Sequence, residues 1–151
     1  MKKIFYLYDA GHISEKLRLE VEKIFTSDGR FSFEMDSDTK ILCSLKDKDY
    51  DSLIIFVSEE KKLTEKEQNG IIDYVKSGGG IVFINSSIEC ILKNPEIKKT
   101  SGVNAVEDKG IQQFSVFIDD NNHYITTRFP SEFVLTDRFY YTRVNSSKII
   151  F

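Results

Sequence analysis

Cysteine and histidine are both scarce, with two of each in 151 residues. Cys43 and Cys90 lie far apart and outside any CxxC spacing, and with only His12 and His123 beside them they nearly exclude a tetrahedral zinc site. Long hydrophobic runs are missing too. The longest are five or six residues, too short to span a bilayer, and the start MKKIFYLYDAG has no extended apolar region of the signal-peptide kind. No membrane partner is expected, and a reduced, cytoplasmic setting is. Charge of one sign is not in excess: 21 Lys and Arg against 24 Asp and Glu leave −3. That balance argues against a protein that grips nucleic acid by neutralising phosphates, and against disorder. What is present is core-forming material. The hydrophobic fraction is 40%, with 12 Phe and 7 Tyr, and the length suits one domain over residues 1–151. A fold of this size buries about two-thirds of the surface of its unfolded chain, so it requires neither disulfide nor metal.

Three runs lack alternation: Lys3 to Tyr8, Asp51 to Val57 and Gly80 to Ile84. Such runs read as strands buried on both faces. Phe31 to Met35 alternates and suits a strand nearer a sheet edge. Ile13, Leu17, Val21, Ile24 and Phe25 place an apolar stripe on a helix from about Ser14 to Ser27. A second helix spans Thr64 to Ser77. Thr64 and Glu67 make its capping box, Ile71, Ile72 and Val75 its buried stripe, and Gly78 its left-handed end. Asn69-Gly70 weakens this helix locally, so packing must hold that turn. The order implies parallel strands joined by right-handed crossovers. Beyond Ile84, residues 86–92 are expected to open a short helix, Asn94-Pro95 to break it and Thr100-Ser101-Gly102 to form a loop. Gln113–Ile118 and Arg138–Val144 read as half-exposed strands around the turn cluster Asp119–Asn122.

In a doubly wound sheet, ligands bind beyond the carboxyl ends of the strands, where the winding reverses. Those ends gather Asp9, Gly11 and His12 after the first strand, Ser58, Glu59 and Glu60 after the third, and Asn85, Ser86 and Ser87 after the fourth. His12 is the best catalytic candidate, since an imidazole can accept or donate a proton near neutral pH or ligate a metal with Asp9 or Glu59. An equal alternative is a contact at the start of the following helix. His123 reads as part of a solvated hairpin, and Asp119-Asp120 as turn chemistry. Ser86 with His123 would suggest a serine hydrolase, but the flanking glycines of a nucleophile elbow are absent, and Ser86 reads instead as a helix cap. Ser77–Gly80 ends a helix and enters a strand, the wrong context for a phosphate loop. No metal or other cofactor is expected.

Several segments carry a family resemblance. Tyr50–Phe56, Leu63–Gln68 and Tyr74–Ser86 are similar to the ThuA-like (trehalose utilisation) family, which reads there as a YDxVV strand, an LTxEQ helix start and a helix end followed by GGGxVGLHS. His123–Thr126 resembles the family's HPIT, Phe133–Tyr141 its DELYY segment and Gly11-His12 its early Gly-His pair. The resemblance covers Ile4 to about Tyr141. It implies the fold of the class I glutamine amidotransferase-like superfamily, a flavodoxin-like α/β three-layer sandwich with a mostly parallel sheet, here with an antiparallel C-terminal extension. Against the family pattern, Asn85-Ser86 replaces a His-Ser pair, the segment before Gln113 is shortened, and the chain stops where relatives continue into another strand. The superfamily's elbow cysteine is also replaced by Asn85-Ser86, and Cys90 lies a helical turn further on, so glutamine hydrolysis is not expected.

The expected function is binding of a carbohydrate or related small polar metabolite by Asp9, Gly11, His12, Ser58, Glu59, Asn85 and Ser86. Short polar side chains around one histidine suit hydroxyl-rich ligands. Two alternatives stay open. One is a non-catalytic module that forms homo-oligomers through its apolar end, Ile149-Ile150-Phe151. The other is a hydrolase that uses His12. Enzyme or binder is not decided by the sequence.

Overall fold

β1 (Lys2–Tyr8) sits inside a four-stranded sheet because it is apolar on both faces, with Ile4, Phe5, Tyr6 and Leu7 all buried. A computed structural model describes residues 1–27, 29–58, 60–84, 87 and 93–144. After β1 come α1 (Glu15–Thr26), β2 (Phe31–Asp36), a 3-10 helix (Thr39–Asp47), β3 (Ser52–Phe56), α2 (Glu65–Lys76), β4 (Gly80–Phe83), α3 (Pro95–Ser101), β5 (Val103–Phe117) and β6 (Glu132–Val144). The sheet order is β2-β1-β3-β4 and every pairing is parallel, with Tyr6 opposite both Met35 and Ile54. This is the order of a flavodoxin-like sheet. The chain divides into two compact units, Met1–Ser101 and Gly102–Phe151.

One face of the sheet carries the main core, where Phe5, Leu7, Leu53, Ile55 and Val57 pack with Leu42 and Leu45 of the 3-10 helix and Ile71, Ile72 and Tyr74 of α2. The 3-10 helix was not expected. It begins at Asp38, whose side chain accepts from the Lys40 N–H, and it supplies the crossover between β2 and β3. Gly70 of α2 explains itself against this helix: a Cβ there would collide with the main-chain carbonyl of Leu42. The Asn69-Gly70 weakness therefore marks a close approach of two backbones.

The capping box of α2 forms as expected from Thr64 and Glu67. Its other end closes with Gly78 at φ +100°, where the Gly78 N–H donates to Val75 O and the Gly79 N–H to Tyr74 O. Ser14 caps α1 by accepting from the Leu17 N–H.

The opposite face carries α1, whose Phe25 ring stacks on Phe33 at 4.8 Å. The stripe expected on α1 is less buried than its periodicity implies: Ile13 is buried ahead of the helix, but Leu17 and Ile24 are exposed and no residue of α1 is fully buried. The physical reason is position, since α1 lies against β2 at the edge of the sheet. β4 departs likewise from a doubly buried strand, with Val82 exposed and Ile84 just beyond it exposed too, because among the described residues β4 is the other edge of the sheet.

Asn94-Pro95 starts a helix of its own, while the segment it was expected to break lies almost wholly outside the described residues. The Asn94 side chain accepts from the Glu96 and Ile97 N–H groups at 2.9 and 3.3 Å, and Pro95 takes the first helical position, where a missing N–H costs nothing. The expected loop at Thr100-Ser101 is therefore helical, and Gly102 follows with φ +74°. In the second unit β5 and β6 pair antiparallel from Val103 opposite Val144 to Phe117 opposite Glu132, so both strands run longer than expected. The short helix expected over 86–92, with Cys90, lies outside the described residues except for Ser87, and so does the apolar end at 149–151.

Candidate functional site

The winding of the sheet reverses between β1 and β3. β1 leads through α1 to β2 on one side, while β3 leads through α2 to β4 on the other. The loops leaving β1 and β3 therefore diverge over a crevice at the carboxyl ends of the strands.

Asp9 follows directly on β1, at this end of the sheet. Its side chain is largely buried, and Oδ2 accepts from the Ser58 hydroxyl at 2.7 Å and the Ser58 N–H at 3.3 Å. Oδ1 accepts from the Gly11 N–H at 3.1 Å. Burial alone would raise the Asp9 carboxyl, but the Ser58 hydroxyl, the Gly11 and Ser58 amides and the neighbouring His12 together hold it below the usual aspartate range. Asp9 is thus an anion held in place by its neighbours.

The chain leaving β1 turns tightly, since the His12 and Ile13 N–H groups both donate to Asp9 O, at 3.0 and 3.1 Å. Gly11 contributes its N–H rather than its lack of a side chain, because a Cβ there would make only an ordinary contact with Asp9 Oδ1. The turn aims the His12 ring back at Asp9, with Nδ1 at 3.2 Å from Oδ2 and about half of the side chain exposed. Asp9, Gly11, His12 and Ser58 are therefore brought together by the fold. Glu59, Asn85 and Ser86 lie outside the described residues.

Ser87 has a role that its place after an apolar strand does not by itself disclose. It is fully buried, and its Oγ accepts from the Val57 N–H at 2.8 Å and approaches Ile84 O at 2.6 Å and the carbonyls of Ile55 and Val57 at 3.1 Å each. A hydroxyl has one proton, so it serves these carbonyls in turn while it fastens the tip of β3 to the chain leaving β4. Ser87 is a strut behind the crevice. The second histidine, His123, is exposed in the connection between β5 and β6, where Nδ1 accepts from the Ile125 N–H at 3.3 Å. Among the described residues no group of three or more His, Cys, Asp or Glu is placed to hold a metal ion, and no helix is long and apolar enough to cross a membrane.

Comparisons with known proteins agree with this architecture. A ThuA-like protein from Bacteroides uniformis superposes with a TM-score of 0.70 at 21% identity, over 92% of this chain and 60% of its own. A ThuA-like protein from Parabacteroides merdae gives 0.69 at 13% identity, over 95% and 64%. The chain thus spans less than two-thirds of the length of either. No curated protein matches. The family model described as "ThuA: Trehalose utilisation" matches residues 5–151, which takes in the Asp9–His12 turn, the Thr64 capping box and the β5–β6 unit alike. With nearly the whole length matched, the chain belongs to the ThuA family.

Proposed function

We propose that the crevice over β1 and β3 binds a small, hydroxyl-rich polar ligand of the carbohydrate class, in the cytoplasm. The observation that carries this reading is the Asp9 cluster, in which a fixed carboxylate orders Ser58 on one side and the half-exposed His12 ring on the other. Hydroxyl groups both give and accept hydrogen bonds, so they suit a rim that offers carboxylate oxygens, an imidazole nitrogen and short polar groups. Glu59, Asn85 and Ser86, next along the chain from β3 and β4, would extend the same rim. The family description, trehalose utilisation, points to sugars as the class. Glutamine hydrolysis is not part of the proposal, because the position of the superfamily's nucleophilic cysteine is held by Asn85-Ser86. A thermal-shift panel of neutral sugars tests the reading. Stabilisation of the wild type that is lost in His12→Ala supports it, and the absence of any shift at millimolar sugar contradicts it.

A second reading rests on the same pair. The His12 ring, half exposed beside the Asp9 carboxylate, is placed to act as a general base in hydrolysis. Turnover of a glycoside by the wild type, abolished in His12→Ala with sugar binding retained, would favour the enzyme over the binder.

A further inference from the structure

The opposite end of the sheet holds a second hollow. It has a volume of about 490 Å³ and opens between the start of β1, the end of the 3-10 helix, the start of β3 and the end of α2. Clefts that take small molecules run from about 300 to 1,000 Å³. Tyr50, Tyr74 and Phe31 give it aromatic walls, and Lys2, Lys46 and Lys48 stand on it.

Its charge is not cancelled from within. Lys2 is paired with Asp51, whose second oxygen accepts from the Lys3 N–H at 2.8 Å. Lys3 takes Asp49, and the Tyr50 hydroxyl donates to Glu34 at 2.6 Å. Those carboxylates are therefore engaged. Lys46 and Lys48, both exposed, make no ion pair or side-chain hydrogen bond among the described residues. Lysines beside a helix end commonly serve its bare carbonyls. Here that work is done by others: Asp73 O accepts from the Ser77 N–H, Val75 O from the Gly78 N–H, and Tyr74 O from the Gly79 N–H and the Ser77 hydroxyl. Two ammonium groups are thus left facing an open, aromatic-walled hollow in a chain whose net charge is negative. Ser52 also lines it, and its hydroxyl has no partner among the described residues.

We propose that this hollow is a binding site for a small organic phosphate, with Lys46 and Lys48 holding the phosphate and the ligand body lying against Tyr50. Lysine binds phosphate as a point charge, and two ammonium groups balance the nearly two negative charges of a phosphate monoester at neutral pH. The site is independent of the Asp9 crevice, which lies at the other ends of the same strands.

Calorimetric titration of the full chain with phenyl phosphate tests it, with inorganic phosphate and phenol as separate arms. The expected result is binding of phenyl phosphate, weaker binding of inorganic phosphate, none of phenol, and a marked loss of affinity as salt is raised. The Lys46→Ala/Lys48→Ala double variant should bind on the order of tenfold more weakly or worse while its urea midpoint stays put, and His12→Ala should bind as the wild type does. Lys48→Gln alone should show a smaller loss in the same direction. Unchanged affinity in the lysine variants, binding lost in His12→Ala, or no binding of either phosphate would each overturn the proposal.

Discussion

The Ser58 hydroxyl donates to Asp9 Oδ2 across 2.7 Å, a contact between residues 49 apart in sequence that joins the tip of β1 to the tip of β3. Both groups lie where the winding of the sheet reverses, so the bond ties the two strand ends together at that point. Asp9→Ala leaves a buried serine hydroxyl and two amides without their acceptor, and is expected to cost about 1–3 kcal/mol of stability, read from urea midpoints. A midpoint equal to that of the wild type would show that the bond does not form in solution.

The same carboxylate sets a pH dependence. Its folded-state value is depressed, so the stability it contributes is present above the ordinary aspartate range near 4 and is lost as pH falls through the lower, folded value. Wild type should therefore lose stability as pH is lowered below about 4, and Asp9→Asn should show less of that loss. Parallel pH profiles for the two proteins would contradict the assignment. Glu67 contributes with the same sign. Burial would raise it, but the Thr39 hydroxyl and the Thr64 hydroxyl and amide hold it low.

Gly70→Ala separates local propensity from packing. In an isolated helix the change favours the fold by about 1 kcal/mol. Here the added methyl meets the Leu42 carbonyl, so destabilisation of about 1–3 kcal/mol or more is expected in chemical denaturation. Any gain in stability would mean that α2 and the 3-10 helix do not pack this closely.

Ser87→Ala removes the acceptor of the buried Val57 N–H at the tip of β3. A loss of about 1–3 kcal/mol is expected, with faster amide exchange at Val57 as its local signature. Exchange at Val57 no faster than in the wild type would deny Ser87 its place as a strut.

Much of this fold is legible in the sequence because its strongest signals are local. Unbroken apolar runs mark β1 and β3, and Thr64 with Glu67 marks the start of α2, since strand burial and capping are written in adjacent residues. What periodicity does not reveal is how far a face is covered. The stripe on α1 has the right spacing, yet Leu17 and Ile24 are exposed because their helix lies over an edge strand. The 3-10 helix was missed for a related reason, as Leu42 and Leu45 give it only a short apolar signal while its contacts are with α2, distant in sequence. Asn94-Pro95 shows the ambiguity of proline, which ends one helix and begins the next with equal ease. In the crevice, Asp9, Gly11, His12 and Ser58 follow from topology alone, whereas the hydrogen bonds that hold Asp9 depend on side-chain directions that a sequence does not state.

His12 is the point on which the functional account turns. Amide NMR of the full chain during titration with trehalose and related neutral sugars tests it most directly. The account predicts shifts concentrated at Gly11, His12 and Ser58 that vanish in His12→Ala while the remainder of the spectrum is kept. Shifts confined to other regions, or none as the sugars reach high millimolar levels, would contradict it.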